Sequence, residues 1–139
     1  MSVGYVLDDV TINELGRGDL VVANLVAALD EHAVRMSVPA IALAVAQHTL
    51  GEAQAEAVHG MIHRLAHVRL EPVASTEDVL RLSAVSAHLT EQQDMAAAHT
   101  VAVARYLGFP VLAADLKRWE PVRAHLPWQL DVYEISDSG

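Results

Sequence analysis

Asp8, Asp94 and Asp115 are the side chains of this sequence whose types and placement most directly allow chemistry. Asp8 follows the apolar run Tyr5-Val6-Leu7, Asp115 follows Val111-Leu112-Ala113-Ala114, and Asp94 opens a helical segment. In an α/β protein the carboxyl ends of parallel strands meet at one rim, so carboxylates distant in sequence converge there. Converging carboxylates suit hard divalent cations, which lower the pKa of a bound water and neutralise charge on a phosphate. Asp9 is an extra neighbour that either substitutes as a ligand or faces solvent. Each aspartate also has a plain structural use: Asp94 is a good helix cap and dipole partner, and Asp8 and Asp115 can accept from loop amides. Only their joint placement points to a metal.

The elements that must position these residues are legible in the hydrophobic pattern, which alternates short β-like runs with longer helical ones and predicts a three-layer α/β/α fold around a mostly parallel sheet of about five strands. Tyr5-Val6-Leu7 reads as the first strand, with a short connection after Asp8 and Asp9. Asp19 caps a helix to about Ala33, in which Leu20, Val21, Asn24, Leu25 and Ala28 recur at helical spacing and are expected to face inward. Arg35 to Val38 reads as a second strand, and Pro39 sits in the first turn of a helix running to Leu50. Glu52 to about Ala66 is a further helix, and Val68 to Pro72 a third strand. Ser75-Thr76-Glu77-Asp78 caps a helix ending near Leu89, with Leu80, Leu82 and Val85 expected in the core. The helix opened by Asp94 ends at Leu107, where Gly108 supplies a left-handed cap and Pro110 prevents continuation. Val111 to Ala114 is a fourth strand and Leu130 to Ile135 a fifth, with Trp128 as a core anchor before it.

A chain of 139 residues is expected to form one domain, residues 1–135, with 136–139 as a disordered tail. It contains no cysteine, which excludes a disulfide framework, a thiolate zinc site and a thiol nucleophile. The N-terminal residues carry no basic, then apolar, leader pattern, and no apolar run reaches membrane-spanning length. A cytoplasmic protein without a membrane partner is therefore expected. The net charge of −9 argues against broad nucleic-acid affinity, although a local group among Arg64, Arg69, Arg105, Arg118 and Arg123 can still meet a phosphate or a partner.

Taken together, Tyr5-Val6-Leu7-Asp8, Val38-Pro39-Ala40-Ile41-Ala42-Leu43-Ala44, Gln93-Asp94-Met95-Ala96-Ala97-Ala98 and Phe109-Pro110-Val111-Leu112-Ala113-Ala114-Asp115 resemble the PIN-domain family, whose small bacterial members include the ribonuclease toxins of toxin–antitoxin pairs. The resemblance runs through nearly the whole chain in the right order, and that order and spacing carry it, because each motif alone is short. It implies a metal-dependent phosphodiesterase holding Mg²⁺ or Mn²⁺ against RNA, with Asp8, Asp94 and Asp115 at the family's acidic positions. It also implies homodimerisation and an antitoxin-like protein partner whose tail covers the acidic rim.

Three departures strip polar groups from the implied site. The family's glutamate falls at Val45, which on the plain reading is a core valine facing the sheet; a polar position falls at Val10; and a threonine position falls at Ala113. Gln47 and His48 are turned from the face of Val45, and Glu14 and Asp19 are the nearest acidic residues that can bend back to the rim. The sequence thus favours an incomplete acidic site on an intact fold, serving as a weak or non-catalytic interaction module. The alternative is an active Mg²⁺- or Mn²⁺-dependent endoribonuclease, in which Asp8, Asp94 and Asp115 would be catalytic and RNA a partner. Arg118 and Trp119 follow Asp115 closely and are expected to flank the same rim as substrate or partner contacts, or to form a surface cation–π pair. His59, His63 and His67 recur at four-residue intervals and can in principle share a zinc ion. A solvated stripe is the better reading, because Gly60 weakens the helix and no acidic ligand is interleaved.

Overall fold

A computed structural model describes residues 4–136 of the protein. The five strands β1 (Gly4–Leu7), β2 (Arg35–Pro39), β3 (Val68–Glu71), β4 (Val111–Ala113) and β5 (Val132–Glu134) form one sheet in the order β3-β2-β1-β4-β5. Every pairing is parallel, with Val6 opposite Ser37 on one side and Val111 on the other. Helices pack on both faces, so the architecture is the three-layer α/β/α fold expected from the alternating pattern.

The alternation of side chains along a strand divides the core in two. Val6, Val111 and Ala113 pack with Val101, Leu82 and Trp119 on one face, covered by α5 (Thr76–Ser86) and α6 (Met95–Leu107). Leu7, Met36, Val38 and Leu112 pack with Ile12, Val26, Leu43 and Val58 on the other, drawn from α1 (Asp9–Gly16), α2 (Leu20–Glu31), α3 (Ala40–Ala46) and α4 (Glu52–Arg64). The short α7 (Glu120–His125) adds Val122 to the first core.

Several expectations need correcting. Asp9–Gly16 is a helix rather than a connection, because Asp8 caps it and Ile12 and Leu15 fall one turn apart on its buried side. The inward face of α2 is Val22 and Val26, with Leu25 only partly buried; Leu20, Val21, Asn24 and Ala28 are exposed. The stretch from Pro39 to Leu50 is not one helix: Pro39 still pairs with Glu71 as the last residue of β2, and α3 tightens at Ala46 into a 3₁₀ turn, Gln47–Thr49. Asn13 Nδ2 donates to the Ala46 carbonyl at 2.8 Å, satisfying the helix end there. Leu80 faces solvent at 63% exposure, whereas Leu82 and Val85 are buried as expected. Trp128 is partly buried against the first core. Gly108 takes the left-handed cap at φ 71°. Of the expected tail, residues 137–139 lie outside the described residues.

Candidate functional site

The strand order places a switch point between β1 and β4, since the chain leaves β1 toward β2 on one side while β4 lies on the other. Ligands of open α/β sheets bind in the crevice outside the carboxyl ends of such strands. Asp8 leaves β1 into this crevice, Asp94 enters it as the N-cap of α6, and the 3₁₀ turn Leu116–Trp119 brings in Arg118 and Trp119 after β4.

Asp8 is fully buried. Its Oδ1 accepts from the Thr11 amide at 2.8 Å and its Oδ2 from Trp119 Nε1 at 2.7 Å. Burial pushes its carboxyl above the ordinary range, opposed by the hydrogen bonds from Thr11 and Trp119. Thr11 is also fully buried, donating its hydroxyl to the Leu112 carbonyl and accepting from the Ala114 amide, each at 3.0 Å. It thereby ties the first turn of α1 to the end of β4.

Asp94 and Asp9 are joined by one guanidinium. Arg118 Nη1 and Nη2 donate to Asp94 Oδ2 and Oδ1 at 2.6 and 3.1 Å, while Nε and Nη2 donate to Asp9 Oδ1 and Oδ2 at 3.1 and 3.2 Å. Two bidentate contacts from a planar group fix it in position and orientation. Asp94 Oδ1 also caps α6 by accepting from the Ala97 amide at 3.0 Å. Burial alone would raise Asp94, but the Arg118 hydrogen bonds and the Ala97 amide hold its carboxyl below the ordinary range. Burial likewise opposes the charge on Arg118, and the two carboxylates outweigh it, raising the guanidinium further. Arg118 also lies over its neighbour, with Cζ 4.9 Å from the Trp119 ring centre. Two consecutive residues thus answer Asp8, Asp9 and Asp94.

The remaining predicted residues are not drawn in. Asp115 is exposed and caps the 3₁₀ turn, accepting from the Lys117 amide at 3.0 Å. Val45, expected against the sheet, is 37% exposed. Trp119, expected at the surface as a substrate or partner contact, is instead completely buried, and Arg118 is spent on internal carboxylates. Asp19 caps α2 through the Val22 amide, and Gln47 bonds His59 at 2.7 Å. The histidine stripe is split: His63 is exposed near the end of α4, and His67, beyond the helix, bonds Asp30 through its amide and Nδ1.

The donor set does not fit a divalent ion. Both oxygens of Asp8 accept from protein donors, Asp9 and Asp94 share a fixed cation, and among the described residues no group of three or more His, Asp or Glu side chains is arranged to hold a metal. Thr11 and the pairing role of Asp9 are the features that motif spacing missed. The signal for both is Asp8 read as a helix cap, which turns Asp9-Val10-Thr11 into a first turn facing the crevice. Neither a protein-family model nor a curated protein sequence matches the chain.

Proposed function

We propose that this protein is a non-catalytic interaction module, PIN-like in its motifs, whose acidic crevice is closed by its own arginine. The observation that carries this reading is the double bidentate contact of Arg118 with Asp9 and Asp94. A guanidinium there supplies the positive charge that clustered carboxylates require, and leaves no carboxylate pair free to orient water on a phosphate. The exposed Val45 adds neither a ligand nor a base.

Beside the crevice, a cleft of about 300 Å³ is lined by Glu14, Asp19, Val21, Val22, Ala114 and Ile135. Leu20, next to it in sequence, is 74% exposed. Acidic and apolar groups together suit a protein segment carrying basic and apolar residues. The partner is a second copy of this chain or an antitoxin-like protein, in a cytoplasmic setting.

The test is an RNA-cleavage assay in Mg²⁺ and in Mn²⁺, with EDTA controls, on the wild type and Asp94→Asn. The expected result is no EDTA-sensitive cleavage by the wild type. Cleavage that is abolished both by EDTA and by Asp94→Asn would establish the alternative, a metal-dependent endoribonuclease using Asp8, Asp94 and Asp115. That alternative draws on the position of all these aspartates beyond the ends of β1 and β4 or at the start of α6.

A further inference from the structure

A second recess lies between α5 and α6, built from residues that take no part in the acidic crevice. Its inner chamber, about 40 Å³, is lined by Glu71, Asp78, Arg81, His99 and Tyr106, among others. An outer groove of about 350 Å³ is lined by Arg81, Ala84, Val85, Ala102, Arg105 and Tyr106. Arg81, Ala102 and Tyr106 line both, so the Arg81 guanidinium, 4.0 Å from the Tyr106 ring centre, forms a wall common to the two. The size of the groove falls in the range of small-molecule sites, and its make-up matches them: a small apolar floor with a few convergent polar groups.

The polar groups define the ligand. Arg105 is exposed, and its guanidinium carbon lies 3.7 Å from the Trp128 ring centre. No ion pair neutralises it among the described residues, whereas Arg35, Arg81 and Arg118 each have a carboxylate partner. A cation held in place but not neutralised is preorganised for an anion. At the inner end, His99 is 3% exposed, and its Nδ1 accepts from the Ile41 amide at 3.2 Å. The proton of the neutral ring is therefore on Nε2, where it has no protein acceptor among the described residues. Burial keeps the ring neutral by lowering its pKa, against the nearby charges of Asp78 and Glu71.

We propose that the α5–α6 cleft binds a small organic anion. Arg105 takes its phosphate or carboxylate group, its body lies on Tyr106 and the floor of Ala84 and Ala102, and the Nε2–H of His99 donates to a polar atom at the inner end. Phosphate and carboxylate are both oxyanions whose oxygens accept several hydrogen bonds at once, and the two are separated by experiment.

The test is an NMR titration of the full-length ¹⁵N-labelled protein with phenyl phosphate, with benzoate and with inorganic phosphate, repeated on Arg105→Gln and Ala84→Leu. Ala84 is exposed, so Ala84→Leu fills the groove without entering the core. The expected result is saturable binding of phenyl phosphate or benzoate with shifts centred on α5 and α6, the tighter of the two identifying the head group. Each variant should weaken it at least about tenfold. Absence of saturable binding, shifts centred elsewhere, unchanged affinity in Ala84→Leu, or equal affinity for inorganic phosphate would each overturn the proposal.

Discussion

Arg118 makes more of its donors count than any other side chain in the crevice, and its removal leaves Asp9 and Asp94 facing one another without a cation. Arg118→Met is expected to destabilise the fold by about 2–3 kcal/mol, less than for a wholly buried pair because Asp94 is about a quarter exposed. Adding Asp94→Asn should recover part of that loss, since it removes one of the repelling charges, and urea denaturation of the single and double variants measures the coupling. The pH dependence follows from the same contact. Asp94 is held below its ordinary value of 3.8, so its stabilisation is complete above that value and is lost as the pH falls through the folded one. Asp8 has the opposite sign: its folded carboxyl is raised, so its ionisation weakens the fold as the pH rises from the unfolded value toward the folded one. Urea midpoints measured on acidification below about pH 5 should therefore fall less steeply for Asp94→Asn than for the wild type. The sequence singled out Asp8 and Asp94 because strand ends and helix caps have local signatures, but the same signature also drew in Asp115, which caps an exposed turn, and left the pairing of Asp9 unseen. It did not show Arg118 between them, because the reach of a side chain across more than twenty residues of sequence is set by tertiary packing.

The elements around the crevice are likewise held by contacts between residues distant in sequence. Thr11 is the clearest, since its hydroxyl serves both the Leu112 carbonyl and the Ala114 amide at the end of β4. Thr11→Val keeps the shape and leaves both groups unpaired, and thermal unfolding should register a loss of about 1–3 kcal/mol. Gly108 ends α6 at φ 71° with open space where a Cβ would stand. Gly108→Ala should thus cost about 1 kcal/mol from backbone strain alone. Most elements were legible from apolar periodicity, caps and the Gly108–Pro110 stop, including a mostly parallel sheet, of which every pairing is in fact parallel. α1 was missed because Asp8 and Asp9 look like loop residues until Asp8 is recognised as a cap. The buried face of α2 was misassigned because Leu20 and Val21 are as apolar as Val22 and Val26, and periodicity cannot choose between adjacent apolar stripes when several exist. Val45 was misassigned for the same reason in the apolar run of α3.

For the molecule as a whole, a net charge of −9 meets an internal cation at the acidic crevice and exposed apolar groups beside the neighbouring cleft. None of the helices among the described residues is long and apolar enough to cross a membrane. Association through the acidic, apolar cleft predicts a dimer by sedimentation, weakened by Leu20→Glu, and a wild type that stays monomeric would direct attention to a different protein as partner. The α5–α6 cleft is lined by none of the residues of the acidic crevice, although both use α6. Under the proposed function, Arg118 takes the place of a metal between Asp9 and Asp94. Calorimetric titration of Mn²⁺ into the wild-type protein, with Asp94→Asn alongside, addresses it most directly: no saturable binding by the wild type is predicted, and saturable binding that disappears in Asp94→Asn would contradict it.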